Sequence, residues 1–201
     1  RYTGHKIYAG KLPIPGQPSS YAENDGEADT LEIYAEDAVT GLKITLIYTV
    51  FSDQGVMTRR VRAENGSSEM LKLERIFSLC LSLPSMDYDL ITLYGRHVRE
   101  RNIERRPLAH GVQGVESSRG VSGHSQNPFA ALAEKNADEE HGEVYGFNFV
   151  YSGNFSALCE CDYNGTSRFL MGIHPVGFGW NLAPGEVFDT PEAVMVYTAE
   201  G

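Results

Sequence analysis

The sequence predicts an all-β fold of antiparallel strands, a sandwich or a barrel, and three observations carry that expectation. Short segments of alternating apolar and polar residues recur at regular spacing, with turn residues between them. Nothing in the 201 residues resembles a long amphipathic helix. One pair of such segments, Ser156 to Asp162 and Ser167 to Ile173, is joined through Asn164-Gly165, the clearest hairpin signal in the chain.

The elements follow in order. Residues 1 to 29 carry Pro13, Pro15 and Pro18 close together and an acidic stretch, Glu23-Asn24-Asp25-Gly26-Glu27, which reads as extended, loop-like connecting sequence. From Thr30 the period is two, with Leu31, Ile33 and Ala35 on one face and Glu32 and Tyr34 on the other. Asp37 to Gly41 turns the chain into a second strand, Leu42 to Phe51, rich in Ile, Thr, Tyr and Val. Ser52-Asp53-Gln54-Gly55 turns it again into Val56 to Glu64, and Asn65-Gly66 predicts a tight turn. The longest alternation comes next. Leu71, Leu73, Phe77, Leu79, Leu81 and Leu83 share one face, Lys72, Glu74, Ser78 and Ser82 the other, and Arg75 interrupts the apolar row.

Further strands are expected at Leu90 to Tyr94, Val98 to Ile103 and Val112 to Glu116. Phe129 to Lys135 fits either a helical turn or an edge strand. Val144 to Tyr151 sets Tyr145, Phe147, Phe149 and Tyr151 on one face, and the chain closes with Phe178 to Leu182, a turn at Ala183-Pro184-Gly185-Glu186, and a strand from Ala193 to Thr198.

Composition bounds the partners. A hydrophobic content of 41% and a charged content of 22% suit one large folded domain, and a net charge of −10 opposes nucleic acid and anionic membrane surfaces. No apolar window reaches membrane-spanning length and no signal peptide is present. The chain begins at Arg1 within what reads as continuing sequence, so it is expected to be an excised piece of a longer protein. Three cysteines cannot all pair internally, and Cys159 and Cys161 stand at i and i+2 of one strand, poorly placed to bond to each other. Buried reduced thiols, and hence a cytoplasmic location, are expected. The Cys-x-Cys pair has no second ligand pair at metal spacing, and the six histidines are scattered, so neither a metal site nor a cofactor is expected.

A glycosidase needs two carboxyl groups flanking one bond. The acids here sit mainly in solvated connectors (Asp25, Glu27, Asp87, Asp138, Glu139 and Glu140), so no catalytic residue is assigned. The densest polar chemistry lies in Arg119-Gly120-Val121-Ser122-Gly123-His124-Ser125-Gln126-Asn127-Pro128-Phe129. Gly120 and Gly123 offer backbone freedom, and Pro128 pushes Asn127 toward an extended conformation. Such a loop on a β scaffold either satisfies its own backbone or meets a ligand or partner, and Arg119, Ser122, His124 and Asn127 are the candidate contacts. Ser122 and His124 lack the Gly-x-Ser-x-Gly setting of a nucleophile. The run Arg96 to Arg106 sets five arginines against two glutamates, an arrangement for cross-strand ion pairs or docking to another domain. Asn-x-Ser/Thr sequons at Asn65, Asn154 and Asn164 need no glycan to explain them, since two are Asn-Gly turns.

Several motifs also carry a resemblance. Glu100-Arg101-Asn102-Ile103-Glu104-Arg105-Arg106-Pro107-Leu108, the polar loop, Gly142 to Phe147 with Tyr151-Ser152-Gly153-Asn154-Phe155, and Trp180 to Glu186 with Thr190-Pro191-Glu192 together resemble the amino-terminal domain of glycoside hydrolase family 36 α-galactosidases. The loop departs from the family's usual Ser-Ser-His-Gln by having Gly123 and Ser125. The resemblance implies a β-supersandwich of the galactose-mutarotase-like type over residues 1–201. It also implies a retaining α-galactosidase whose two catalytic carboxylates lie in a (β/α) barrel following Gly201. The chain's implied role is then to support that barrel and a homo-oligomer, with an α-galactoside as the parent's substrate. The alternative is an independent carbohydrate-binding module stacking sugars on exposed aromatics. Trp180 is expected in core or domain-junction packing instead.

Overall fold

The computed structural model describes all 201 residues as sixteen strands and two single 3-10 turns. In chain order the strands are β1 (Tyr2–Ala9), β2 (Asp29–Glu36), β3 (Leu42–Phe51), β4 (Val56–Asn65), β5 (Leu71–Leu73), β6 (Phe77–Leu83), β7 (Tyr88–Arg96) and β8 (Arg99–Pro107). They continue with β9 (Gly111–Ser117), β10 (Gln126–Glu134), β11 (Val144–Val150), β12 (Phe155–Cys161), β13 (Ser167–Ile173), β14 (Trp180–Leu182), β15 (Val187–Asp189) and β16 (Glu192–Thr198). Ten of them form one antiparallel sheet in the order β1-β2-β3-β4-β16-β11-β10-β7-β8, with β15 beside β4. A four-stranded sheet, β6-β13-β12-β9, lies against it, and β14 pairs β5 in a small third sheet.

Pleating decides which residues fill the space between the two large sheets. Leu90, Ala130, Leu132, Phe147, Phe149 and Ala193 point inward from the large sheet, and Leu79, Phe155, Ala157, Cys159, Phe169 and Met171 meet them from the smaller one. Phe147 stacks on Phe169 with ring centroids 4.0 Å apart, which ties the two sheets at their centre. Arg59 crosses the same gap, stacking on Tyr48 and donating to the Ser78 carbonyl at 3.0 Å. A satellite cluster of Ala63, Leu73 and Leu182 lies under β5 and β14.

The outer face of the large sheet is treated differently at its two ends. Residues 10 to 28 return across it as a strap near β3, β4 and β16, with Ile14 buried beneath. Lys11 Nζ meets the Glu192 carboxylate at 2.7 Å, with both side chains almost wholly buried. The Ser20 amide and hydroxyl donate to the same carboxylate, and the Gln17 amide donates to the Asp189 carbonyl. Asp189 in turn binds Arg60 and Arg62. At the far end, toward the edge formed by β7 and β8, no strap covers the face and Ile103 is 72% exposed.

Several expectations change. Tyr2–Ala9 is a paired strand, not connecting loop. It lies at the edge with most side chains exposed, so no apolar alternation marks it. Of Phe129 to Lys135, all but Lys135 belong to β10, which is neither helical nor at an edge but lies between β7 and β11. Ala130 to Ala133 are buried on both faces, and a strand buried on both sides loses its period-two signature. The Leu71 to Leu83 row is split at Arg75 between two sheets, and Ser78, on its polar side, is fully buried and donates to the Pro191 carbonyl. Cys80 is exposed, whereas Cys159 and Cys161 are buried, and all three are free thiols. Asn65-Gly66 is no tight hairpin. Asn65 is buried and its side chain ties Glu69, Leu182 and Ser67 together, while at Gly66 a Cβ would press on the Gly41 carbonyl at 3.0 Å and displace the end of the Lys43 side chain.

Candidate functional site

The polar loop joins β9 in the smaller sheet to β10 in the larger one, so it closes one end of the sandwich. Its anchors lie 30 residues away in the turn between β11 and β12. The Ser122 amide donates to the Ser152 carbonyl at 2.9 Å, the Ser122 hydroxyl to the Tyr151 carbonyl at 3.2 Å, and the Gly120 amide to the Asn154 side chain. Ser117 Oγ donates to the Val121 carbonyl at 2.8 Å. Gly120 sits at φ 89°, the left-handed region where a side chain is strained; Gly123 is not in that region.

The four candidate residues are therefore not equivalent. Ser122 is half-buried and works as an internal tie. Arg119 is exposed and reaches only Ser125 Oγ, at 3.3 Å. His124 is exposed and makes no hydrogen bond within the chain. Asn127, second residue of β10, is half-buried, and its Nδ2 is shielded from solvent with no acceptor. The structure brings Ser122 to the β11–β12 turn but does not gather Arg119, His124 and Asn127 around a common point.

Beside the loop lies a pair that the sequence reading passes over. His174 is buried and its Nε2 stands 3.2 Å from a Glu116 oxygen. Its Nδ1 accepts the Val176 amide at 3.1 Å, which puts the ring proton of the neutral form on Nε2, donating to Glu116. The His174 amide donates to the Asn154 carbonyl, so this pair braces the same turn that anchors the loop. The only local signal was His174-Pro175 at the end of a strand, which does not reveal a partner 58 positions away.

The carboxylates show what chemistry the chain is equipped for. Hydrogen bonds from the Thr40 hydroxyl and the Val39 amide hold Asp37 below its ordinary range. The Glu140 amide and His141 do so for Asp138, and the Thr166 amide for Asp162. Lys135 lowers Asp87 likewise. An acid catalyst needs the opposite shift. The most buried carboxylate, Glu192, is neutralised by Lys11 in a space with no volume for a ligand.

The arginine run divides in two. Arg105 binds Asp89 at 2.7 Å and donates to the carbonyls of Ala137, Glu134 and Lys135, and Arg106 binds Glu104 and the Gly114 carbonyl. These tie β8 to its neighbours. Arg96, Arg99 and Arg101 stay exposed at the hairpin tip.

A ten-stranded antiparallel sheet packed on a four-stranded one, closed at one end by a polar loop, defines a β-sandwich domain. Residues 1–183 match the glycosyl hydrolase family 36 N-terminal domain, and the chain belongs to that family. Over its whole length it is 55% identical to α-galactosidase AgaA of Geobacillus stearothermophilus and 38% identical to α-galactosidase 1 of Pediococcus pentosaceus. It spans only 28% and 27% of those proteins. The AgaA crystal structure superposes on the whole chain with a TM-score of 0.98, again over 28% of that protein. An α-galactosidase from Lactobacillus brevis, 44% identical, superposes with a TM-score of 0.97 over 27% of its chain. Variants of AgaA have been crystallised with stachyose and with raffinose.

Proposed function

We propose that this chain is the non-catalytic amino-terminal domain of an α-galactosidase that removes terminal α-galactosyl residues, with a catalytic barrel expected beyond Gly201. The observation that carries the reading is the match of the whole chain, at 55% identity, to the corresponding 28% of AgaA. The carboxylates fit it, because those that depart from ordinary values are held ionised and the buried one is neutralised within the fold. In this reading the domain supports the barrel and a homo-oligomer. The loop of Arg119, Ser122, His124 and Asn127 lies at the junction with the barrel or a neighbouring subunit. His124, exposed without a partner, and the shielded Asn127 Nδ2 support that placement, since a buried donor left unpaired costs ~1–3 kcal/mol. Free buried thiols at Cys159 and Cys161 support a cytoplasmic location, checked by cell fractionation.

The test is turnover of an aryl α-galactoside. The complete parent should hydrolyse it and this chain alone should not. Turnover by the chain that vanishes on mutating one of its own acids overturns the reading. In the parent, His124→Ala and Asn127→Ala should lower oligomer stability or kcat/KM. No change in either, with loss of stability in the chain itself, makes the loop internal scaffolding.

One observation favours a second reading, in which the chain itself binds sugar. Trp180 is 43% exposed, not core, with Phe188 packed on it at 5.1 Å. Titration calorimetry of galactose into the isolated chain separates the two readings.

A further inference from the structure

The β7–β8 hairpin is built unlike the rest of the molecule. Val98, at φ 70°, and Arg101, at φ 57°, are the only non-glycine residues in the protein with positive φ. For a β-branched residue this is a genuine outlier, and backbone strain of this kind persists only where the surrounding structure enforces it. Fitted contacts hold it. Asn102 Nδ2 donates to the carbonyls of Tyr94 and Arg99, Glu100 accepts the Val98 amide at 2.9 Å, and a Cβ on Gly95 would run into the Arg99 backbone. None of this serves the interior. Val98 is 77% exposed, and Arg96, Arg99 and Arg101 have no ion-pair partner, unlike Arg105 and Arg106 of the same strand.

At the base of this hairpin a groove of about 630 Å³ opens on the bare end of the sheet's outer face. Ile91, Ile103, Ala133 and Val144 line its floor, and Asp138, Glu139 and Glu140 its rim. Arg105 belongs to the floor but is already bound to Asp89 and three carbonyls. One surface thus carries a cationic arm with an apolar tip and an anionic groove with an apolar floor. The tip lies six residues along β8 from Arg105, ~20 Å at ~3.3 Å per residue, so the arm cannot fold back into its own groove.

We propose that the β7–β8 arm of one copy seats in the groove of a second copy. Val98 enters between Ile91 and Val144, and Arg99 and Arg101 meet Glu139 and Glu140. The reciprocal contact closes a two-fold dimer. Self-complementarity on one patch is what an isologous interface requires. The attraction is local: Asp138, Glu139 and Glu140 line the groove, close enough to outweigh the long-range repulsion of two chains of net charge −10, and arginine is the cation suited to interface ion pairs. The proposal rests on the oligomeric part of the reading above and assigns that assembly a contact.

Sedimentation velocity of the 201-residue chain over a concentration series tests it, with thermal melts by circular dichroism as the folding control. Arg99→Glu with Arg101→Glu should weaken dimerisation at least about tenfold without moving the melt, as should Glu139→Arg with Glu140→Arg. Combining all four should restore association, which a purely structural role would not do. Val98→Gly, which suits the left-handed backbone, should keep the fold and still weaken the dimer. Salt at ~1 M, where the Debye length is ~3 Å, should weaken it too. The proposal fails if the chain is monomeric at every concentration, if either reversal associates like the parent sequence, or if the fourfold swap does not recover. Failure here leaves the α-galactosidase reading standing, because that reading is decided by turnover.

Discussion

The two faces of the ten-stranded sheet are held by different physics. The inner face is apolar at its centre, closed by Phe147 on Phe169 and by the side chains of β6, β12 and β13. The outer face is ionic at one end, where Lys11–Glu192 and Arg60–Asp189 fasten the strap, and bare at the other, where Ile103 is 72% exposed. Burial of apolar area drives folding without direction, while buried ion pairs and fitted hydrogen bonds fix one arrangement among several. The fold therefore depends on the inner face, and the outer face is free to be shaped for partners.

The comparison breaks most readily at the inner face. Phe169→Ala removes a fully buried ring from the stack and should cost ~3–5 kcal/mol, read from urea denaturation. The same region responds to alkali. Burial, and next the neighbouring Cys161, push the Cys159 thiol from its ordinary 9.0 up to about 12. The folded state thus holds that proton more tightly than the unfolded chain does. Its contribution to stability is complete below pH 9 and is lost as pH rises toward 12. At pH 8 a thiol reagent should label Cys80 quickly and Cys159 only as fast as the protein unfolds. Rapid labelling of Cys159 would mean an inner face open to solvent.

The outer face should respond more weakly and by a different rule. Lys11→Ala leaves the Glu192 charge buried, at about 3 kcal/mol, the low end for a broken buried pair, because Ser20 still donates twice. Lys11→Met with Glu192→Leu should recover to within about 1 kcal/mol, since replacing both partners removes the unpaired charge. A double variant as unstable as the single would show that the strap is held by shape and not by charge. At the bare end, Ile103→Lys should change stability by less than ~0.5 kcal/mol, because most of that side chain already meets water.

The sequence made some of this legible for local reasons. Leu42–Phe51 was bounded correctly because turn residues flank an unbroken strand composition, and Asn164-Gly165 did close a hairpin, with Gly165 at φ 78°. What escaped depends on distant contacts. The apolar run of β10 reveals its central place only once β7 and β11 lie on either side. Residues 10 to 28 read as spare linker because Lys11, Gln17 and Ser20 find their partners more than 170 positions later. The loop's polar chemistry and its need for Gly120 were visible, but not the β11–β12 turn that anchors it. The motif Thr190-Pro191-Glu192 gained its physical meaning only in the fold. Thr190 accepts the Val61 amide, Pro191 receives Ser78, and Glu192 holds the strap.

Amide hydrogen exchange followed by mass spectrometry tests the division of the two faces most directly, comparing this chain, at a concentration low enough to keep it monomeric, with the complete parent enzyme. Amides of β10, β11 and β13 should exchange equally slowly in both, because the inner face is complete within the chain. Amides of β8 and of the connector from Lys135 to Glu143 should exchange readily in the chain and gain strong protection in the parent. Equal protection of the bare end in both samples would contradict the account, as would a core that becomes slow only in the parent.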